Sequence, residues 1–175
     1  SEVRKLLPEL ILWQRQHGYP FSLFTEASLD LANNNLRDTR EGMVEAGFTE
    51  VFCGIESTDP QVLKEMNKSQ NRGDLGERVR ILQQAGFEVS GGFIVGNDSD
   101  GPNACDNLFR FIQENGIVIA MPGLLTALRG TPLYKRLGIE GRLRAESSGN
   151  NTHQFYLNFV PKQDESELIE SYVGL

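Results

Sequence analysis

The feature that most constrains this chain is a unit that occurs twice. A helix-forming stretch ending in Ala46, Gly47 and Phe48 runs directly into a strand-like stretch over residues 49–56, and the same order returns at Ala85, Gly86 and Phe87 before residues 88–96, an offset of 39 residues. In each unit a glycine stands where a helix ends most cheaply in the left-handed conformation, and a strand starts at once. A spacing of 39 residues holds one strand and one returning helix, so consecutive strands are expected to be parallel with right-handed crossovers.

The flanking segments extend the pattern. Val3, Leu6, Leu7, Leu10 and Ile11 have helical spacing up to His17 and Gly18, and residues 21–27 alternate as a first strand. Asn33, Asn34 and Asn35 then break the pattern before a helix over residues 36–46. Asp59 with Pro60, and Asp74 with Glu77, mark two helix starts. A further helix is expected to open near Gly101 and Pro102, turn Leu108, Phe111 and Ile112 inward and stop at Gly116. Residues 117–126 form a nearly continuous apolar run broken at Pro122 and Gly123, which reads as a buried fourth strand with a distortion. Thr131 and Pro132 cap a short helix ending near Gly138, a loop-like composition follows to about residue 160, and Asp164 with Glu167 opens a last helix. The expected fold class is α/β, with four parallel strands and at least six helices. Residues 1–130 form either an open sheet or a partial TIM-type barrel fragment, and residues 131–175 a helical and loop extension. Because the chain opens on Ser1 and stops within a helix-like pattern at Leu175, it reads as part of something longer.

Composition removes several functions. With 39% hydrophobic and 23% charged residues the chain is not disordered. Its net charge is −7, and its strongest basic cluster, Lys135, Arg136, Arg142 and Arg144, is diluted by Glu140 and Glu146 and lacks interleaved aromatics, which argues against nucleic acid as a partner. No apolar run approaches the ~20 residues of a membrane span and no signal-peptide pattern opens the chain, so the expected location is cytoplasmic. Two cysteines, Cys53 and Cys105, are too few for a disulfide framework, an iron–sulfur cluster or a zinc site built on thiolates.

In parallel α/β architectures ligands bind at the carboxyl ends of the strands. Glu26 and Glu56 share the parity of Phe24 and Phe52; two carboxylates there would hold ribose hydroxyls or an ammonium group, or else satisfy helix N-termini. Gly91, Gly92 and Gly96 let backbone approach a ligand, or let a helix pack closely, but their spacing is not that of a dinucleotide fingerprint. Asp98 and Asp100 bracket Ser99 before Gly101, where capping of the next helix is a better account than a cation site with only two acidic side chains. Cys53 reads as a core residue and Cys105 as helical, while His17 near a helix end and His153 in a loop lack any neighbouring catalytic constellation.

The run Gly54, Ile55, Glu56, Ser57, continued by Asp-Pro-Gln-Val-Leu-Lys-Glu-Met-Asn-Lys over residues 59–68, resembles the fourth-strand signature of radical SAM enzymes. The likeness is greatest to the branch of Fe–S oxidoreductases that often carries a cobalamin-binding domain. Within that branch, residues 128–137 and the later Asn158, Phe159, Val160, Pro161 and Lys162 are similar to its C-terminal extension. The resemblance implies that the four strands correspond to strands three to six of a six-stranded partial barrel. It implies S-adenosylmethionine (SAM) contacts at Gly92, Ile94 and Gly96, the fifth-strand glycine–isoleucine–glycine motif, with Ile94 against adenine. Glu56 and Ser57 would lie beside the ribose or methionine part, Glu26 at the end of the third strand, and Thr126 would face the site from the sixth. Two departures stand out: Ser99 replaces an acidic residue of that motif, and the C-x3-C-x2-C triad that binds the family's [4Fe–4S] cluster is missing. The implied parent is an oxidoreductase or methyltransferase using SAM, a [4Fe–4S] cluster and possible cobalamin on a small-molecule substrate. This chain would be its C-terminal part, inactive alone, apposed to the missing N-terminal part, exposing inner-barrel surface near Phe24, Phe52 and Ile94 and prone to self-association. The alternative is a cluster-free α/β domain that binds a nucleotide-like ligand or a protein partner. A phosphate-binding barrel is disfavoured because Arg129 and Gly130 make a poor phosphate loop.

Overall fold

In the structure, a computed structural model that describes residues 2–68, 71, 73–144 and 155–175, four strands form one parallel sheet in the order β1-β2-β3-β4. Helix α1 (Glu2–Gln16) precedes β1 (Leu23–Ala27); two 3-10 turns (Leu29–Ala32 and Asn34–Leu36) lead into α2 (Arg37–Glu45), then β2 (Phe48–Glu56). Helices α3 (Pro60–Glu65) and α4 (Leu75–Ala85) return to β3 (Glu88–Val95), and α5 (Ala104–Glu114) to β4 (Ala120–Leu124). Beyond the sheet lie α6 (Pro132–Ile139) and α7 (Glu165–Val173). His153 lies outside the described residues.

The repeated unit behaves as its glycines require. Gly86 takes φ +112° after α4, with Phe87 N–H reaching Leu82 O at 3.2 Å, and Gly47 takes φ +94° after α2. Both are left-handed positions at which a side chain is strained. Strand order that never reverses places every right-handed crossover on one face, the arrangement of a barrel wall rather than of a doubly wound sheet with a switch point. Burial follows the same logic. On β2, Val51, Cys53 and Ile55 are fully buried against the helices, and on β3 so are Val89, Phe93 and Val95. The opposite, inner face is open: Phe24 is 58% exposed, Met121 57% and Ile119 45%, with Phe52 and Ile94 half-buried beside them.

β4 differs from expectation. It is five residues long and exposed or half-buried instead of buried, because it is the edge of the sheet: no strand pairs with its outer side among the described residues. An edge is also where Pro122 is tolerated, and the Pro122 carbonyl accepts the Tyr172 hydroxyl of α7 at 2.9 Å. The helix after β3 starts at Ala104 and not near Gly101, and its Asn103 cap makes no side-chain hydrogen bond. No described helix is long and apolar enough to cross a membrane.

Residues after β4 build a second core from Ala127, Leu137, Leu157, Phe159 and Leu168. Buried Asn158 ties it together, its Oδ1 accepting from Ala127 N–H and its Nδ2 donating to Ala127 O, each at 2.9 Å. Asn158→Ala strands both backbone groups, so the stability loss should be about 2 kcal/mol, read as a lower urea midpoint at an unchanged slope.

Candidate functional site

The carboxyl end of β2 is distorted. Its register against β3 shifts between Gly54 and Glu56, and Glu56 takes φ +69°, a left-handed conformation that costs a side-chain-bearing residue about 1–2 kcal/mol. Two side chains hold the distortion. Asn71 Nδ2, buried, donates to Gly54 O at 2.8 Å and Ile55 O at 2.9 Å, and Lys68 Nζ donates to Glu56 Oε1 at 2.6 Å. The carboxylate thereby folds back over the inner face, where a Cβ added at Gly54 would fall 2.9 Å from Glu56 Oε1. Glu56 and Glu26 thus share a face, as their parity implied, but in different states: Glu56 is ion-paired, and the Glu26 carboxylate is exposed with no hydrogen bond or ion pair among the described residues.

Ser57 is buried at the same turn, where its Oγ accepts the Asp59 N–H at 3.1 Å. A cleft of about 60 Å³ opens beside it, lined by Glu56, Ser57, Ile94 and Asp100 together with the start of α5. Three of the residues singled out from the sequence therefore meet: Glu56 from the end of β2, Ser57 just beyond it and Ile94 from β3. Gly92 lies one step down the same face as Ile94 under the Phe52 ring, whose Cζ would be 3.0 Å from an added Cβ; ring packing, not helix packing, needs this glycine. Gly96, at φ +96°, faces the extension, where an added Cβ would meet Leu168 at 3.3 Å. Thr126 is half-buried, donates to Leu124 O at 3.4 Å and lies outside the cleft lining, as does Glu26.

The loop after β3 overturns the capping expectation for Asp98 and Asp100. Asp100 Oδ2 accepts the N–H groups of Gly96 at 2.7 Å and Asn97 at 2.8 Å, securing the backbone where β3 ends. Burial pushes its carboxyl upward, opposed by those donors. Asp98 instead receives Arg142 through two nitrogens at 2.6 and 2.9 Å and Arg136 at 2.6 Å. The Arg142 hydrogen bonds, with help from Arg136, hold its carboxyl down to about 2 against the effect of burial. The basic cluster is thereby engaged internally: Arg136 and Arg142 at Asp98 and Glu140, and Arg144 at Glu165 at 2.6 Å. Ser99, the residue in the acidic motif position, donates to Glu65 Oε2 of α3 at 2.6 Å.

Cys53 and Cys105 are both buried, and burial pushes the Cys53 thiol up to about 11. A thiol so disfavoured as thiolate is a poor metal ligand, and no cluster of metal-ligating side chains exists among the described residues. His17 is satisfied at its own helix end, Nδ1 lying 2.8 Å from Trp13 O. Sequence reasoning assigned no role to Lys68 or Asn71; Lys68 closes the stretch that carried the family resemblance, which was the available signal.

Comparisons with known proteins bear on this geometry. Residues 131–175 match a family described as a domain of unknown function, DUF4070. An uncharacterized methyltransferase of Synechocystis sp. is 38% identical over 98% of this chain and 32% of its own length. The hopanoid C-2 methylase of Rhodopseudomonas palustris is 39% identical over 87% of the chain and 29% of its own length. The chain thus spans about a third of these curated relatives. Among solved structures, the radical S-adenosylmethionine methyltransferase TsrM from Kitasatospora setae, with cobalamin and a [4Fe–4S] cluster bound, superposes with a TM-score of 0.62 at 14% identity, covering 96% of this chain and 34% of that one.

A carboxyl whose folded value lies below its ordinary 3.8 contributes stability that is complete above that value and is lost as pH falls toward about 2. The Asp98 carboxyl carbon should therefore titrate near 2 by NMR. In Arg142→Met the titration should move up toward 3.8, so the variant should be less stable than the parent above 3.8 and the difference should shrink as pH falls toward about 2.

Proposed function

Since the chain belongs to the radical SAM superfamily, we infer that it forms the SAM-facing and C-terminal part of a methyltransferase of that superfamily. The observation that carries this reading is the convergence of Glu56, Ser57 and Ile94 on one cleft at the carboxyl rim of a barrel-type sheet. Two relatives named as a methyltransferase and a C-2 methylase support transfer of a methyl group, in the second case to a carbon.

In this reading the β3 backbone at Gly92, Ile94 and Gly96 receives the adenine, with the half-buried Ile94 side chain as its apolar contact. Gly92 keeps the inner face free of a side chain. Glu56, already fixed by Lys68 and by the Asn71-supported turn, presents a preorganised acceptor toward the ribose or methionine part, and Ser57 fixes the turn that carries it. The unengaged carboxylate of Glu26 remains available to a hydroxyl or ammonium group two strands from β3, whereas Thr126, which follows β4, lies outside the cleft lining. Residues 131–175 act as an extension packed against the rim.

A [4Fe–4S] cluster supplies the electron that cleaves SAM in this superfamily. The described residues of this chain do not fit one, since its two cysteines are buried and separate, and no step through a cluster is assigned to them. The cluster ligands, and any cobalamin site, are placed in parts of the longer protein outside this chain.

Two measurements test the reading. The coding sequence upstream of Ser1 should contain C-x3-C-x2-C in frame, and an upstream region without the triad overturns the catalytic assignment. In the longer protein, Ile94→Ala should weaken SAM binding about tenfold, roughly 1.4 kcal/mol, by equilibrium dialysis; unchanged affinity removes Ile94 from the site.

A further inference from the structure

The geometry points to a second binding site at the rim, one that takes a zwitterion bearing both an ammonium and a carboxylate, an amino acid in its simplest form. A cavity of about 330 Å³ lies between the end of α3 and the start of α6, within the usual range for small-molecule sites, about 300–1,000 Å³. It shares no lining residue with the cleft beside Glu56 and Ser57, so the inference stands apart from the adenosyl reading.

The cavity is bounded by opposite charges that the protein leaves unmatched. Near α6, Asp98 is already satisfied by Arg142, which reaches both carboxylate oxygens at 2.6 and 2.9 Å. Arg136 adds a further hydrogen bond to Asp98 at 2.6 Å and a long one to Glu140 at 3.3 Å, both through Nη1, and Lys162 stands 3.9 Å from Asp98. Three cations thus face the two carboxylates of Asp98 and Glu140, and one positive charge is left over. The Nε and Nη2 edge of Arg136 makes no hydrogen bond among the described residues. That edge is the planar fork that receives a carboxylate through two parallel hydrogen bonds. At the end of α3, Glu65 accepts only from neutral groups, Ser99 Oγ at 2.6 Å and Gln61 Nε2 at 3.3 Å, and no cation pairs with it among the described residues. The side-chain amide of Asn67 next to it, on a backbone at φ +55°, has no hydrogen bond among the described residues either.

A simple anion would gain Arg136 but meet the repulsion of Glu65, and a simple cation would meet the reverse. A neutral ligand would displace water from both charges without replacing it. A zwitterion matches each: its carboxylate on the Arg136 fork, its ammonium on Glu65, with the Asn67 amide free to complete either contact. Met66, Leu125, Pro132 and Leu133 supply apolar wall for the rest of the ligand, and Met66, unbranched and polarizable, adapts to an aliphatic side chain.

The three methionines report three different places. Met66 lines the cavity, Met121 is on the exposed inner face, and Met43 is in the core under the helices. The 175-residue chain, labelled with ¹³C-methyl methionine, is titrated at pH 7 with L-norleucine, with hexanoate, which lacks the ammonium, and with pentylamine, which lacks the carboxylate. The expected result is a saturable shift of Met66 by norleucine with Met43 unmoved, and binding of each single-charge analogue at least about tenfold weaker. In Glu65→Gln, norleucine should lose about tenfold and hexanoate should bind as well as norleucine; in Arg136→Gln the same should hold for pentylamine. Arg142 still holds Asp98 in the second variant, and the Met43 signal certifies the fold of both. An unmoved Met66, a shift confined to Met121, equal binding of norleucine and either analogue by the parent chain, or an unchanged norleucine response in either variant overturns the inference. Neither SAM nor a cluster enters the titration, so its failure leaves the adenosyl reading to its own test, and failure of that reading does not change the Met66 result.

Discussion

The central strand pair has two unlike faces, and the rest of the structure follows from that difference. Val51, Cys53, Ile55, Val89, Phe93 and Val95 turn to the helices and are buried, at roughly 1.5–3 kcal/mol for each large apolar side chain. Their neighbours Phe52, Gly54, Gly92 and Ile94 turn the other way. Because side-chain direction alternates strictly along a strand, a one-residue slip of either strand would exchange the two sets and lose the core. Stability and site are thus specified by the same register, and the inner face is free to carry chemistry because the outer face supplies the burial.

The five residues after β3 make the joint between sheet and extension. Asp100 secures the backbone of Gly96 and Asn97, Ser99 reaches back to α3 through Glu65, and Asp98 holds Arg136 and Arg142 from the extension. Arg142 also sits 5.8 Å from the centre of the Phe159 ring in the second core and donates to Val160 O. Exposed ion pairs contribute little, but the Asp98 side chain is only 8% exposed and that of Arg142 14%. Losing either partner leaves a mostly desolvated charge behind, so this pair constrains the extension more than Arg144–Glu165 on the surface does.

Much of this was legible beforehand, and the reasons for the exceptions are physical. The helix–glycine–strand repeat announced parallel strands because glycine at a helix end and period-two burial are local signals. Strand order settled what composition could not, the choice between an open sheet and a barrel wall, since that depends on which neighbour each strand selects. The apolar run over residues 117–126 suggested burial, but hydrophobicity does not say whether a second strand stands alongside, and β4 is an edge. Asp98 was legible as a turn residue and not as a clamp, because Arg136 and Arg142 lie about forty residues away in sequence and meet it only through the second core. Lys68 and Asn71 escaped notice for a related reason: their role is to support an irregular turn, and irregular turns leave no periodic trace. Glu26 and Glu56 were correctly placed on one face, whereas their different states arise from a bulge that parity does not foresee.

The β3 loop gives the two cavities at the rim a fixed relation. Asp100 lines the cleft beside Glu56 and Ser57, and Asn97 and Asp98 line the cavity between the end of α3 and the start of α6. Both walls therefore belong to one short segment, braced by hydrogen bonds to its own backbone, to α3 and to the extension. Extension residues Leu133 and Arg136 line the second cavity and not the cleft, so changes there leave untouched the glycine–isoleucine–glycine strand on which the methyl donor is proposed to rest.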